Sequence, residues 1–149
     1  TFRGLLNGGI TTDIYGDIFL EDLRAYREKL VNAAGLKTCF PLWGTDSSEL
    51  MEEFLSAGFG AVTCCIDTLS MPLDSIGKEI DRQFMSALPG NVDPCGENGE
   101  YHTFCFAGPV FSEPIHYVLG EQRFQPLPIN MTDSISQHGY QFIDIKPAL

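Results

Sequence analysis

Gly60-Ala61-Val62-Thr63-Cys64-Cys65-Ile66-Asp67 is the stretch on which the fold turns. It is a continuous run of small apolar and β-branched residues with no polar alternation, typical of a parallel strand covered on both faces. Upstream, Asp46-Ser47-Ser48-Glu49 has capping-box spacing and opens a helix to about Ala57. Leu50, Met51, Phe54 and Leu55 share one face of it, and Gly58 stands just past its end. Further back, Ile10–Tyr15 is a short β-branched strand closed by Gly16-Asp17. A helical period of Leu23, Tyr26, Leu30 and Ala33 follows, from about Phe19 to Ala34, with Gly35 as its stop. Leu36–Gly44 reads as irregular. The order β-α-loop-α-β predicts that 10–15 and 60–67 pair in parallel through a right-handed helical crossover.

Downstream, Ile76, Ile80, Phe84 and Leu88 recur four apart and predict a helix from about Asp74 to Leu88, stopped by Pro89-Gly90. Tyr101–Phe106 reads as a strand. Ile115–Phe124 is extended, with an interruption at Gly120, and Gln125–Gln137 reads as a loop. Gly139–Ile145 alternates polar and apolar as a half-buried strand does. The fold class expected is α/β: a partial parallel-sheet nucleotide-binding domain over 1–67, then a small α+β domain with an antiparallel sheet over 68–149. The first residues end a helix at Asn7-Gly8-Gly9. This carries the expectation that further chain precedes them.

Composition narrows the function classes. The 149 residues are 44% hydrophobic and 19% charged, enough to bury a core in one domain or two small ones. The net charge of −11 argues against a nucleic-acid footprint, which needs clustered Lys and Arg. It argues equally against an anionic membrane surface. No apolar run reaches the roughly 18 residues of a membrane span. Five cysteines, two of them adjacent (Cys64-Cys65), read as reduced thiols rather than a disulfide framework. A cytoplasmic protein is the expectation.

The chemistry concentrates in Asp93-Pro94-Cys95-Gly96-Glu97-Asn98-Gly99-Glu100-Tyr101-His102-Thr103-Phe104. A polar, glycine-punctuated turn runs into a strand, a common way to mount reactive groups on a rigid support. With Glu97 and Glu100 three apart, their carboxylates could lie about 7 Å from each other. At an effective dielectric near 20 they would repel by roughly 2–2.5 kcal/mol, which invites an ammonium, a cation or N–H donors. The alternative is a solvated acidic turn. Cys95, His102 and Cys105 lack a C-x-x-C pair and a fourth ligand, so no metal site is assigned. Cys95 as a nucleophile would need a positive environment, and its neighbours are acidic. A glycosidase pair would want more aromatic platforms than Trp43 and Tyr101. Gly16-Asp17 lies at the carboxyl end of one strand and Cys65-Ile66-Asp67 at that of another, where α/β sheets take ligands, but no phosphate-loop or dinucleotide fingerprint is present. Trp43, the single tryptophan, is either a core plug under a loop or the wall of a pocket.

The segments Gly16-Asp17-Ile18-Phe19-Leu20-Glu21-Asp22-Leu23-Arg24-Ala25-Tyr26-Arg27-Glu28, Pro41-Leu42-Trp43-Gly44, 93–104 and Gly108-Pro109-Val110-Phe111 occur in this order over roughly residues 10–120. Together they resemble the diphthine–ammonia ligase family, of the ATP-pyrophosphatase (PP-loop) type in the adenine-nucleotide alpha-hydrolase-like superfamily. The resemblance implies a HUP/Rossmann-like nucleotide domain followed by a substrate domain. It implies ATP-dependent amide formation: a small-molecule or protein carboxylate is adenylated, and ammonia then displaces AMP. Gly16 and Asp17 would lie near ATP, with Mg2+ expected alongside it. Glu97 and Glu100 would be the catalytic carboxylates. Trp43, Asn98, Gly99, His102 and Thr103 would line the substrate side. The family's Ser-Gly-Gly-x-Asp-Ser phosphate loop is not among these residues, so this stretch alone is expected to be inactive. Asn98 and His102 stand where other members more often carry Gly and Glu, and in this they are similar to the bacterial branch. A non-catalytic binding module and a metal-dependent hydrolase remain the alternatives. A parallel sheet left incomplete would expose apolar edges, so self-association into a homo-oligomer is expected.

Overall fold

A computed structural model describes residues 2–127 and 138–148. The chain divides into two compact units, Thr1–Ser47 and Ser48–Leu149. The fold is mixed α/β, with a small parallel sheet in the first unit and an antiparallel sheet in the second.

The first unit runs α1 (Phe2–Asn7), β1 (Thr12–Ile14), α2 (Glu21–Ala33) and β2 (Lys37–Cys39). β1 and β2 pair in parallel, Asp13 opposite Thr38, with α2 as the connection. This corrects the expected pairing. The partner of the first strand is 37–39, part of the segment read as irregular, and not 60–67. The missed strand is three residues long and carries no apolar run to announce it. The buried side of α2 also differs from the expected one. Tyr26 and Leu30 are exposed, while Val31 is fully buried and Leu23, Arg24, Arg27 and Glu28 are half-buried. α2 therefore turns a partly charged face inward, which a search for apolar periodicity passes over.

The second unit holds α3 (Ser47–Ser56), β3 (Gly60–Asp67), a 3-10 turn (Leu73–Ser75), α4 (Arg82–Ala87), β4 (Tyr101–Ala107), β5 (Tyr117–Pro126) and β6 (Gly139–Pro147). α3 stops as its sequence predicts. Gly58 takes φ +80°, its N–H reaches Leu55 O, and the Phe59 N–H reaches back to Phe54 O. The Phe54 and Phe59 rings stack at 4.9 Å across that closure. The sheet order is β4-β3-β6-β5, antiparallel throughout, so the central run 60–67 is not a parallel strand.

β3 reads as a parallel strand because it is hemmed on both sides. β4 pairs along one edge. On the other edge, β6 pairs with Cys65–Asp67, and the segment 77–80 covers the remainder. Thr63 N–H donates to Lys78 O at 2.9 Å, Gly77 N–H to Thr63 O at 3.0 Å, and Ile80 N–H to Ala61 O at 2.8 Å. Val62, Thr63 and Ile66 are fully buried as a result. The division before α3 rather than after β3 follows, since the partners of β3 all come from later in the chain.

The same contacts break the helix expected over 74–88. Residues 77–80 give their hydrogen bonds to β3, and α4 begins only at Arg82, where the Asp81 carboxylate accepts the Phe84 N–H at 2.7 Å. Ile76, Ile80 and Phe84 still enter the core, with Ala61, Ile66, Met71, Val92, Tyr101 and Ile143. The strands expected at Tyr101–Phe106, at 115–124 and at Gly139–Ile145 form, as β4, β5 and β6. β5 carries a register shift between Leu119 and Gln122, at the expected interruption. Of the loop read over Gln125–Gln137, 125–126 complete β5, and 128–137 lie outside the described residues.

Candidate functional site

The first unit gathers its candidate residues at the carboxyl ends of the parallel pair. Tyr15 N–H donates to Cys39 O at 2.9 Å, carrying the ladder one residue past β1. Gly16 follows, exposed, and then Asp17 and Ile18 turn inward, 7% and 3% exposed. The loop after β2 closes over this point, with Gly44 N–H donating to Ile18 O at 2.8 Å. Trp43 thus falls in the same unit as Gly16 and Asp17. Its ring meets Phe40 edge-on at 6.1 Å, and Phe40 stacks on Tyr15 at 5.5 Å.

Two arginines complete this cluster. The Arg24 guanidinium lies over Trp43 at 4.5 Å and over Phe40 at 5.0 Å, and its Nε donates to Glu28 Oε1 at 2.9 Å. The Arg27 guanidinium lies over Tyr15 at 4.4 Å, with Nε 2.9 Å from Asp17 Oδ2. Both atoms of that last contact are buried without hydrogen-bond alignment, so it is a charge contact and leaves Asp17 Oδ2 with acceptor capacity. The Tyr15 hydroxyl donates to Asp13 Oδ2 at 2.6 Å, and this bond, then burial, raises its pKa. Sequence reasoning passed over Arg24 and Arg27 because charged residues on a helix read as its solvated face. Their three-residue spacing beside an aromatic loop was the available signal.

In the second unit the turn 93–100 is built around two carboxylates that serve its own backbone. Asp93 Oδ1 accepts the N–H of Cys95 at 2.9 Å and of Glu97 at 3.1 Å. Glu100, 6% exposed, accepts the Asp93 N–H at 2.9 Å and the Asn98 amide at 3.1 Å, both on Oε1. Its Oε2 is buried with no hydrogen-bond partner among the described residues. Gly96 is demanded by the closure: φ is +67°, and a Cβ there would stand 2.8 Å from Tyr101 O. The Tyr101 hydroxyl donates to Pro94 O across the turn, and its ring meets Phe84 edge-on at 5.7 Å. Burial, then the nearby Cys95, Asp93 and Glu100, pushes Tyr101 well above its ordinary value, so it remains a neutral strut.

The structure therefore brings Glu97, Asn98, Gly99 and Glu100 together in one turn, and puts His102 and Thr103, both exposed, on the strand leaving it. It gives the two glutamates different surroundings, Glu97 half-buried and Glu100 enclosed. Sequence reasoning missed a cluster at the same end of the sheet. The Asp67 N–H donates to Glu100 O at 2.8 Å, and its carboxylate takes the Ser70 hydroxyl at 2.8 Å, the Leu69 N–H at 3.1 Å and His138 Nε2 at 3.0 Å. Burial would raise the Asp67 pKa, but these bonds and the His138 charge outweigh it and lower it. Asp67 and His138 are 71 residues apart, and no local pattern links them.

Among the described residues no three of His, Cys, Asp and Glu gather as a metal set, and Cys95, His102 and Cys105 form none. Burial raises the Cys64 thiol, and burial with the neighbouring Cys64 and Asp67 pushes Cys65 up to about 11. Both stay protonated near neutral pH and make poor nucleophiles. No described helix is long and apolar enough to cross a membrane.

The family model for the diphthamide synthase C-terminal domain matches residues 46–127, more than half of the chain. A diphthine–ammonia ligase of Schizosaccharomyces pombe is 27% identical over 92 residues, which cover 59% of this chain and 15% of that protein. A diphthine–ammonia ligase of Bos taurus is 28% identical over 105 residues, covering 67% of this chain and 39% of that protein. The chain thus spans well under half the length of either relative.

Proposed function

The chain belongs to the diphthamide synthase C-terminal domain family, and from that premise we propose that it forms part of an ATP-dependent C–N ligase of the diphthine–ammonia ligase type. In this reading a carboxylate substrate is adenylated from ATP–Mg2+, with pyrophosphate leaving, and ammonia displaces AMP to give an amide. The first unit is read as part of a HUP/Rossmann-like nucleotide domain, and the turn 93–103 as the substrate side.

One observation carries the nucleotide half of the reading. Gly16, Asp17 and the Phe40–Trp43 loop meet at the carboxyl ends of β1 and β2, where α/β sheets receive ligands. The residues suit a nucleotide: exposed backbone at Gly16, an acceptor at Asp17 Oδ2, and aromatic and guanidinium faces beside them. On the substrate side, Glu97 is the carboxylate with access to solvent and is read as the acceptor that holds an ammonium and takes its proton. Glu100 fixes the turn and keeps one free acceptor oxygen. Asn98, Gly99, His102 and Thr103 line the approach.

The test is calorimetric titration of ATP–Mg2+ into this chain and into the full-length protein, followed by ATP–pyrophosphate exchange with candidate carboxylates. Binding and carboxylate-dependent exchange by the full-length protein are expected. Absence of both would replace the ligase by a non-catalytic ligand-binding module of the same fold. That second reading draws on Glu100, whose Oε1 is already committed to the turn. Self-association is part of the proposal, since Val118, Leu119 and Phe124 are exposed on β5 at the sheet edge. A clean monomer by light scattering would contradict it.

A further inference from the structure

We propose that Arg24 is a preset receptor for an oxyanion, phosphoryl or carboxylate, at the carboxyl edge of the β1–β2 pair. The argument starts from what holds it. Two aromatic rings set edge-on to each other, Trp43 at 4.5 Å and Phe40 at 5.0 Å, form a corner against which the guanidinium rests, and Nε is tied to Glu28 at 2.9 Å. Those contacts hold it on adjoining sides and along one edge. The Nη groups have no partner among the described residues, and the side chain is 36% exposed. A guanidinium resting in an aromatic corner and tied at Nε presents its remaining N–H fork away from both, the geometry that matches a carboxylate or phosphate oxygen pair. The cost of ordering this long side chain is already met by the rings, so a ligand need not meet it.

The position agrees with the geometry. Trp43 and Phe40 lie in the loop after β2, and Gly44 in that loop is hydrogen-bonded to Ile18, next to Asp17. Arg27, three residues along the same helix, is held the same way over Tyr15 but is turned to Asp17, so its charge is committed within the unit. Among the described residues the one charge that Arg24 meets is Glu28, an i,i+4 pair with both side chains more than a third exposed. Such pairs are weak and yield to a stronger ligand. The site deepens the ligase reading, because a pyrophosphate group and a carboxylate are the two oxyanions that reaction handles.

The test uses inorganic pyrophosphate, sodium acetate and ATP–Mg2+ as separate ligands, with calorimetry and Trp43 fluorescence as readouts. Trp43 is the single tryptophan and touches the guanidinium, so it reports directly. The wild-type chain is expected to bind pyrophosphate or acetate, and whichever binds identifies the oxyanion. Arg24→Ala should weaken that binding about tenfold or more, as loss of a charge-assisted pair does. Arg24→Lys, which keeps the charge without the fork, should fall between. Glu28→Gln should tighten binding, since it releases the guanidinium from its competing carboxylate. A packing role for Arg24 predicts no such gain, and Glu28 is exposed enough for that variant to fold. The proposal is overturned if neither oxyanion binds, if Arg24→Ala binds as the wild type does, or if Glu28→Gln weakens binding. ATP binding that ignores Arg24→Ala would leave the nucleotide reading standing and remove the arginine site. Pyrophosphate binding without ATP binding by the full-length protein would do the reverse.

Discussion

The turn 93–100 and the arginine–aromatic cluster both concentrate polar groups, but they use them in opposite ways. In the turn, Asp93 and Glu100 spend their oxygens on backbone N–H groups of the turn itself. In the cluster, the rings hold the guanidinia and leave N–H groups over. The first arrangement makes a rigid scaffold that depends on its carboxylates. The second makes a surface in which the Arg24 charge meets the half-exposed Glu28 rather than a buried partner. Stability experiments should separate them.

The largest effect belongs to Glu100. Glu100→Ala removes two hydrogen bonds to a carboxylate, from the part-buried Asp93 N–H and from the exposed Asn98 amide, and a loss of about 3 kcal/mol is expected in urea unfolding. Glu97→Ala, at a half-buried site in the same turn, should cost about 1 kcal/mol, the ordinary size for a single substitution, and move the unfolding midpoint less than Glu100→Ala does. Equal losses for the two glutamates would break the comparison, because the turn would then not distinguish scaffold from surface.

Tyr101 is next. Tyr101→Phe keeps the ring against Phe84 and removes only the donor to Pro94 O. A cost of about 2 kcal/mol follows if that carbonyl is left without a partner. A neutral result in urea unfolding would mean that water replaces the hydroxyl and that the closure of the turn rests on Gly96 and the backbone alone.

These residues also mark what could be read from the sequence and what could not. The polar turn, its glycines and the strand after it are local features, and each follows from neighbouring residues. So do the ends of α2 and α3, where Gly35 and Gly58 sit at the stops. What failed was long-range partnership. The run 60–67 is apolar throughout because 77–80 and β6 close one edge while β4 closes the other, and burial alone does not reveal strand direction. Ile76, Ile80 and Phe84 kept a helical spacing although extended backbone delivers the first two. Trp43 was legible as either plug or pocket wall, and the choice needed the two arginines that a charged helix face conceals. His138 could not have been tied to Asp67 by any pattern in the chain.

Within the cluster, Trp43→Ala should cost about 2 kcal/mol, about half from the cation–π contact and the edge-on aromatic pair and half from the apolar surface of a half-buried ring. This is smaller than the Glu100 effect although more side chain is removed, because no hydrogen bond to a carboxylate is lost. A loss as large as that of Glu100→Ala would mean that Trp43 is a core plug after all, and the difference between the two regions would disappear.

The smallest effect lies at Asp67, and its sign is fixed by linkage. The folded state lowers this carboxyl below its ordinary value of 3.8, so the stabilisation is complete above that value and fades as pH falls through the lower, folded one. Asp67→Asn should therefore be less stable than the wild type by its fullest margin near pH 5, where the carboxylate is ionised and the imidazole still charged, and the margin should narrow below about pH 4. Urea midpoints of the two proteins measured from pH 6 to pH 2.5 give that difference directly, and other acidic groups contribute equally to both. His138→Gln should shrink the same margin, since the imidazole is one of the groups that favour the ionised carboxylate. If the margin does not change with pH, Asp67 holds Ser70, Leu69 and His138 by hydrogen-bond geometry alone, and its charge adds nothing to the end of the sheet that carries Glu100.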